Sequence, residues 1–382
     1  MKNRYTLGTF KATPQIVAAV TSVLESGRLS YGDISREFEQ RFAKIHSSKF
    51  GILSNSGTSS LLVTLEAMKE VYRWHNGDEI ICPALTFVAT INAILKAGLT
   101  PKLVDIDPVY YDITPKAIKP AIGERTRAIM AVNLFGQACD LAALHELCKE
   151  YNLKLIEDSC EAMMTDDIGK YSDAAIFSFY MAHILTAGVG GITVTNDELL
   201  ANTMRSLVNH GIAMNYLPTG EFYDPTFLGR HFQFARIGHS FRITEIEAAI
   251  ALEGLKDIHA NLTHRRIVAA FLNDHLKDLS MVFQLPKARG EMRGSWMVYP
   301  IVSKREAKGP IMEFLRERGV ECRDMVPLTN QPCYSHLFCE RDYPVADFIN
   351  HQGFYVGCHQ GIKTSDADYL VAVLHEYAKE HL

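Results

Sequence analysis

Phe177-Ser178-Phe179-Tyr180-Met181-Ala182-His183-Ile184-Leu185-Thr186-Ala187-Gly188-Val189-Gly190-Gly191 separates two short apolar runs, Ala174 to Phe177 and Ile192 to Val194. Both runs have strand length and are bounded by polar or glycine residues. Outward from this segment the same grammar repeats. Gly51-Ile52-Leu53, Glu79 to Pro83, Lys102 to Asp105, Ala128 to Val132 and Lys154 to Glu157 are further runs of that kind. Stretches of helical character stand between several of them: Thr58 to about Tyr72, Thr86 to Lys96, 115–121 and 140–151. Strands alternating with helices predict an α/β fold with a mostly parallel sheet covered on both faces.

Beyond Asp197 the pattern changes. A helix is expected from about 197 to 209, followed by a Tyr/Phe/Gly-rich stretch at 215–238 without clear period. One long helix is expected from Thr244 to about Leu272. The remainder mixes a strand, Trp296 to Val302, with helices at Pro310 to Glu317 and Asp366 to Tyr377, which suits a smaller α+β unit. Residues 1–250 are therefore assigned to a large domain, with an N-terminal helix from Pro14 to Ser26. Residues 251–382 form a small C-terminal domain.

The 382 residues are 47% hydrophobic and 22% charged, with a net charge of −5, an ordinary globular composition. Mild negative charge without a basic cluster argues against nucleic-acid binding. Affinity for a phosphorylated ligand must then come from local groups. Eight cysteines without CxxC spacing in so large a chain suit the reduced thiols of a cytoplasmic protein. No apolar run nears the roughly 20 residues that cross a bilayer, and the first residues lack a signal peptide's apolar core. No membrane association is expected.

In open parallel sheets, ligands gather at the carboxyl ends of strands. Ser54-Asn55-Ser56-Gly57-Thr58-Ser59-Ser60 joins such an end to a helix. Its small residues let backbone N–H groups approach an anion, and the helix dipole favours phosphate there. Phe87 follows the next strand; alone, a phenylalanine is as readily core as stacking platform. Asp158 closes the run from Leu155, where a buried carboxylate needs a cation unless it merely caps a helix. His183 has no HExxH-type companion, so no metal is indicated. Its imidazole titrates near neutral pH and can move protons.

Together these residues resemble the cofactor segment of the DegT-type sugar aminotransferases, which use pyridoxal phosphate (PLP) and have the aspartate-aminotransferase-like fold (PLP fold type I). The resemblance runs from about residue 25 to the end and is most specific over Asp158 to Gly191 and Gly238 to Ile250. Most members carry a lysine three residues after the tyrosine, holding PLP as an imine. Here His183 takes that place, as in a subset that are nucleotide-sugar 3-dehydratases. An imidazole forms no stable imine, so PLP or its amine form, pyridoxamine phosphate (PMP), would bind without covalent attachment.

The resemblance implies Asp158 at the pyridinium nitrogen, Phe87 stacked on the ring and Glu161 near the phenolic oxygen. It implies Gly57, Thr58 and Ser178 at the phosphate, with Asn209 also at the cofactor. Ser240 would reach the neighbouring subunit's phosphate, although relatives usually carry Asn there. Asn133 falls near the sugar, and Arg323 and Tyr31 are candidate substrate contacts from their position. The implied activity is removal of the C3 hydroxyl of an NDP-4-keto-6-deoxyhexose, with His183 as general base and Asp158 keeping the ring protonated.

No cysteine lies between Cys160 and Cys322, where the iron–sulfur branch of these dehydratases bears its ligands. The redox-independent branch of GDP-4-keto-6-deoxymannose 3-dehydratases, which regenerates PMP with glutamate, fits better. Gly353 to Gln360 also resembles that branch, whereas Val326 to Tyr334 looks more like the aminating members. Two other readings stay open: an aminotransferase with non-covalent cofactor, and a sugar-nucleotide-binding relative without catalysis. A homodimer is expected from the family.

Overall fold

The computed structural model describes residues 4–213 and 233–381; most of the 215–238 stretch lies outside them. Seven strands form the larger sheet: β1 (Phe50–Ser54), β2 (Glu79–Pro83), β3 (Thr100–Val104), β4 (Thr126–Val132), β5 (Lys154–Asp158), β6 (Ala174–Ser178) and β7 (Gly191–Thr195). Their order is β1-β7-β6-β5-β4-β2-β3. The pairings from β6 to β3 are parallel. β7 runs antiparallel to both β6 and β1, so the sheet is mixed. The reason lies in residues 179–190. They contain no helix to carry the chain back across the sheet, so β6 returns directly as β7.

Every residue of β6 and β7 is buried, which explains why these strands read as continuous apolar runs and not as alternating ones. Polar side chains start the covering helices. Ser56, Asp140 and Asp197 accept N–H groups of Ser59, Ala143 and Leu200 and so cap the helices Gly57–Val71, Leu141–Tyr151 and Glu198–Val208. The N-terminal helix spans Pro14–Ser26. Among the described residues, no helix is long and apolar enough to cross a membrane.

The single helix expected from Thr244 to Leu272 is divided. Glu245–Gly254 and Ile258–His275 are joined by a 3-10 turn at Leu255–Asp257. At the division Gly254 lies against Leu185, close enough that a Cβ would meet its Cδ1. The second segment then passes between two apolar clusters. Ile258 and Leu262 belong to the cluster of the larger sheet, and Val268, Ala269 and Leu272 to a second one.

That second cluster packs on a four-stranded antiparallel sheet of β8 (Phe283–Gln284), β9 (Val298–Ser303), β10 (Cys322–Asp324) and β11 (Gly353–Gly357), ordered β10-β11-β9-β8. Helices Lys308–Glu317 and Thr364–His381 contribute to it. The N-terminal end of the chain joins this smaller unit: Tyr5 is buried there, and its hydroxyl donates to the Gly357 carbonyl at 2.8 Å. Two helices lie outside the sequence expectation, Asp33–Ile45 and Pro344–Gln352.

Candidate active site

β5 and β6 are neighbours, and their carboxyl ends place Asp158 and Ser178 close together. The helix Gly57–Val71 starts against both. A Cβ on Gly57 would lie 2.8 Å from Cys160 Sγ and 2.9 Å from Ser178 Cβ, so only glycine lets the helix terminus close on the two strand ends. Ser56 takes the Ser59 N–H. The N–H groups of Gly57 and Thr58 precede any intrahelical acceptor and are the kind of donors that suit an anion.

The Asp158 side chain is only 6% exposed. Burial pushes its pKa up, against the donors that meet it. Thr90 Oγ1 donates to Oδ2 at 2.8 Å and the Cys160 N–H to Oδ1 at 3.3 Å. Both donors are neutral, so the carboxylate's charge is left for a cation to balance. Phe87 is 59% exposed directly after the buried Ala84, Leu85 and Thr86. An exposed aromatic ring, a buried carboxylate met by Thr90 three residues after that ring, and an N–H-rich helix terminus would suit the ring and phosphate of PLP or PMP.

His183 stands in the β6–β7 connection, its N–H donating to the Tyr180 carbonyl at 2.9 Å. Nδ1 lies 3.3 Å from the Ser178 carbonyl oxygen. A carbonyl only accepts, so Nδ1 carries the proton and Nε2 keeps its lone pair. Removal from water pushes the pKa of His183 down to about 4; the Ser178 carbonyl works against this, and the Arg265 charge adds to it. The imidazole is therefore neutral near pH 7, and among the described residues its Nε2 has no hydrogen-bond partner. No lysine occurs in the connections 54–58, 83–88, 133–139, 158–161 or 178–190.

Glu161 accepts the Phe135 N–H at 2.9 Å. Burial lifts its pKa to about 7, opposed by that hydrogen bond and aided by Asp158. From the smaller unit, Arg323 lies opposite Tyr355 in the β10–β11 register. The Tyr355 ring stands 6.2 Å from that of Phe135, and its hydroxyl feels both Glu161 and Arg323. Tyr355 had no signal in the sequence beyond a hydroxyl-bearing residue in an apolar strand.

Asn133, expected near the sugar, is turned inward. It is 1% exposed, donates through Nδ2 to Glu157 Oε2 (3.1 Å) and Ser159 Oγ (2.8 Å), and accepts the Cys139 N–H (2.8 Å). Glu157 is a fully buried carboxylate and claims that amide as one of its donors.

Three more expected residues gather with one another. Tyr31 and Asn209 line a recess with Ser30, Arg205 and Arg242. Tyr31 donates to Glu39 at 2.8 Å, and Arg205 donates to both Tyr31 (3.2 Å) and Glu39 (2.7 Å). Asn209 is bridged to Ser240, whose hydroxyl accepts from Arg242 at 3.2 Å. Within one chain, then, Tyr31, Asn209 and Ser240 form a group that adjoins the 54–60 loop, where the Asn55 N–H donates to the Phe241 carbonyl at 2.7 Å. Among the described residues, the one grouping of possible metal ligands is Glu340, Asp347 and His351, none of them expected at the site.

With this geometry in place, the likenesses to known proteins are informative. The sequence profile of the DegT/DnrJ/EryC1/StrS aminotransferase family matches residues 11–375. A GDP-perosamine synthase of Caulobacter vibrioides is 32% identical over 353 residues, 90% of each chain. A dTDP-4-dehydro-2,6-dideoxy-D-glucose 3-dehydratase of Saccharopolyspora spinosa is 30% identical, over 94% of this chain and 83% of that protein. The structure of an E. coli GDP-4-keto-6-deoxy-D-mannose-3-dehydratase with bound hydrated PLP superposes with a TM-score of 0.90 at 28% identity, covering 98% of this chain and all of that one. The fold is the aspartate-aminotransferase-like fold of PLP enzymes, with its large mixed sheet and smaller antiparallel one.

Proposed function

Because the chain belongs to the DegT/DnrJ/EryC1/StrS aminotransferase family, we propose that it is a PLP/PMP-dependent nucleotide-sugar 3-dehydratase acting on an NDP-4-keto-6-deoxyhexose. The observation that carries this reading is His183. It is a neutral base whose Nε2 has no hydrogen-bond partner among the described residues, and no lysine occurs in the β6–β7 connection that carries it.

Bound PMP supplies an amine for the substrate ketone and a ring that accepts electrons. Asp158 holds the ring nitrogen protonated, and Phe87 fixes the ring plane. The N–H groups of Gly57 and Thr58, with Ser178 Oγ, bind the phosphate. His183 Nε2 would serve as the general base and then as the acid that protonates the departing C3 oxygen, which would leave as water. The imidazole is shorter and stiffer than a lysine arm and does not reach the sugar carbon that an amination must reprotonate. Arg323 and Tyr355 face the substrate from the smaller unit. In a homodimer, Asn209, Ser240 and Tyr31 would serve the partner's site. Glutamate would serve as the amino donor, leaving as 2-oxoglutarate.

A second reading, amination with non-covalent cofactor, is favoured by the likeness to GDP-perosamine synthase and by the Val326 to Tyr334 segment. Two measurements test the first reading. Borohydride treatment of the PLP-loaded protein, read by intact mass, should leave no adduct, whereas His183→Lys should gain one. Incubation with PMP and GDP-4-keto-6-deoxymannose should release ammonia. An adduct on the unaltered chain, or no ammonia, overturns the proposal.

A further inference from the structure

Behind the hydroxyl that meets Asp158 stands a second one. Thr90 Oγ1 lies 2.8 Å from Asp158 Oδ2, and Thr86 Oγ1 lies 2.8 Å from Thr90 Oγ1. Both threonines are fully buried. An ionised carboxylate only accepts, so the single Thr90 proton goes to Asp158, and Thr90 must accept from Thr86. The other acceptor open to Thr86, the Phe87 carbonyl, is 3.5 Å away. The donors therefore run in one direction, from Thr86 through Thr90 to the carboxylate.

Their placement is as telling as their distances. Thr90 sits in the first turn of the helix Val88–Lys96, which has no side-chain cap. Threonine there would ordinarily serve the backbone of its own turn; this hydroxyl instead reaches the end of β5, two strands away in the order β5-β4-β2. One short element thus carries the open Phe87 ring and, behind it, the donor to the site's buried acid.

We propose that Thr90 is a positioning residue, whose hydroxyl, oriented by Thr86, keeps the Asp158 carboxylate ionised and aimed at the protonated ring nitrogen of a pyridine cofactor. The inference rests on the reading of Asp158 as that nitrogen's partner. Besides Asp158, the ionisable groups facing this spot are the Cys160 thiol and Glu161, both of which feel its charge.

The test is titration of cofactor-free protein with PMP, followed by absorbance or fluorescence across a pH series, with melting temperatures for each variant. Thr90→Val, which keeps shape and removes the hydroxyl, should weaken PMP binding about tenfold. The loss should narrow as pH rises and Asp158 ionises without help. Thr90→Ser should stay within about twofold of the unaltered protein and Thr86→Val should fall between. If Thr90→Val fails to fold, Thr86→Val carries the test. Equal binding by all variants, or equal loss in Ser and Val without a pH trend, overturns the proposal. Asp158→Asn separates the two layers. Unchanged binding there discards the site reading itself, whereas a loss there without one in Thr90→Val discards only the role of Thr90.

Discussion

A histidine that stays unprotonated at neutral pH makes a base ready to act, and the surroundings of His183 hold it in that state. Its pKa is depressed below the ordinary 6.5, so the acid limb of kcat/KM should lie well below that value, toward about 4. A limb at or above about 6.5 would assign the required base elsewhere. His46 shows the same depression in a structural role. It is stacked on Phe42, with Nδ1 on the Phe42 carbonyl (3.1 Å) and Nε2 accepting the Met164 N–H (3.3 Å). Burial takes its pKa to about 4. The unfolded chain binds this proton first as pH falls, so the stability due to neutral His46 is full above 6.5 and declines through the window from 6.5 to about 4. The total is roughly 3 kcal/mol. Urea melts at several pH values should show that decline, and His46→Phe should flatten it; an unchanged slope would place the proton elsewhere. At this scale the placement of Asp158, Gly57, Ser178 and His183 at strand ends could be read from the sequence, because each closes or follows an apolar run. The hydrogen bonds of Asn133 and Tyr31 could not, since they go to Glu157 and Glu39, buried acids whose need for donors appears only on folding.

Among the elements, the strands of the larger sheet could be read from their apolar runs, and the N-terminal helix from its proline start and glycine stop. The helix Asp33–Ile45 could not. Its N-cap, Gly32, has no side chain, and the capping acceptor arrives from Glu245, more than 200 residues along the chain. That carboxylate takes the N–H groups of Gly32, Ile34 and Ser35 and the Ser35 hydroxyl. Glu245→Ala should cost on the order of 2–4 kcal/mol by denaturant melting, since it strands several buried donors; a loss below about 0.5 kcal/mol would mean that the helix start is secured otherwise. The closure of the Gly57–Val71 helix on β5 and β6 offers a second test. Gly57→Ala forces a Cβ onto Cys160 and Ser178 and should weaken PMP binding by at least about tenfold. Unchanged affinity would move the phosphate away from this terminus.

Across the whole molecule, the site lies where the strand ends of the larger unit face the Arg323–Tyr355 edge of the smaller one. The helix Ile258–His275 and the N-terminal Tyr5 tie the two together. The alternation of apolar runs with helical stretches was enough to indicate the α/β fold. It could not reveal the antiparallel β7, nor that Tyr31, Asn209 and Ser240 come together, because both depend on how distant segments meet. The central claim concerns the fate of one oxygen. Mass analysis of the sugar formed from GDP-4-keto-6-deoxymannose by the purified protein with PMP tests it directly. A 3-deoxy-4-keto sugar carrying no nitrogen is the predicted product; a 4-amino sugar that retains its C3 hydroxyl would contradict the account.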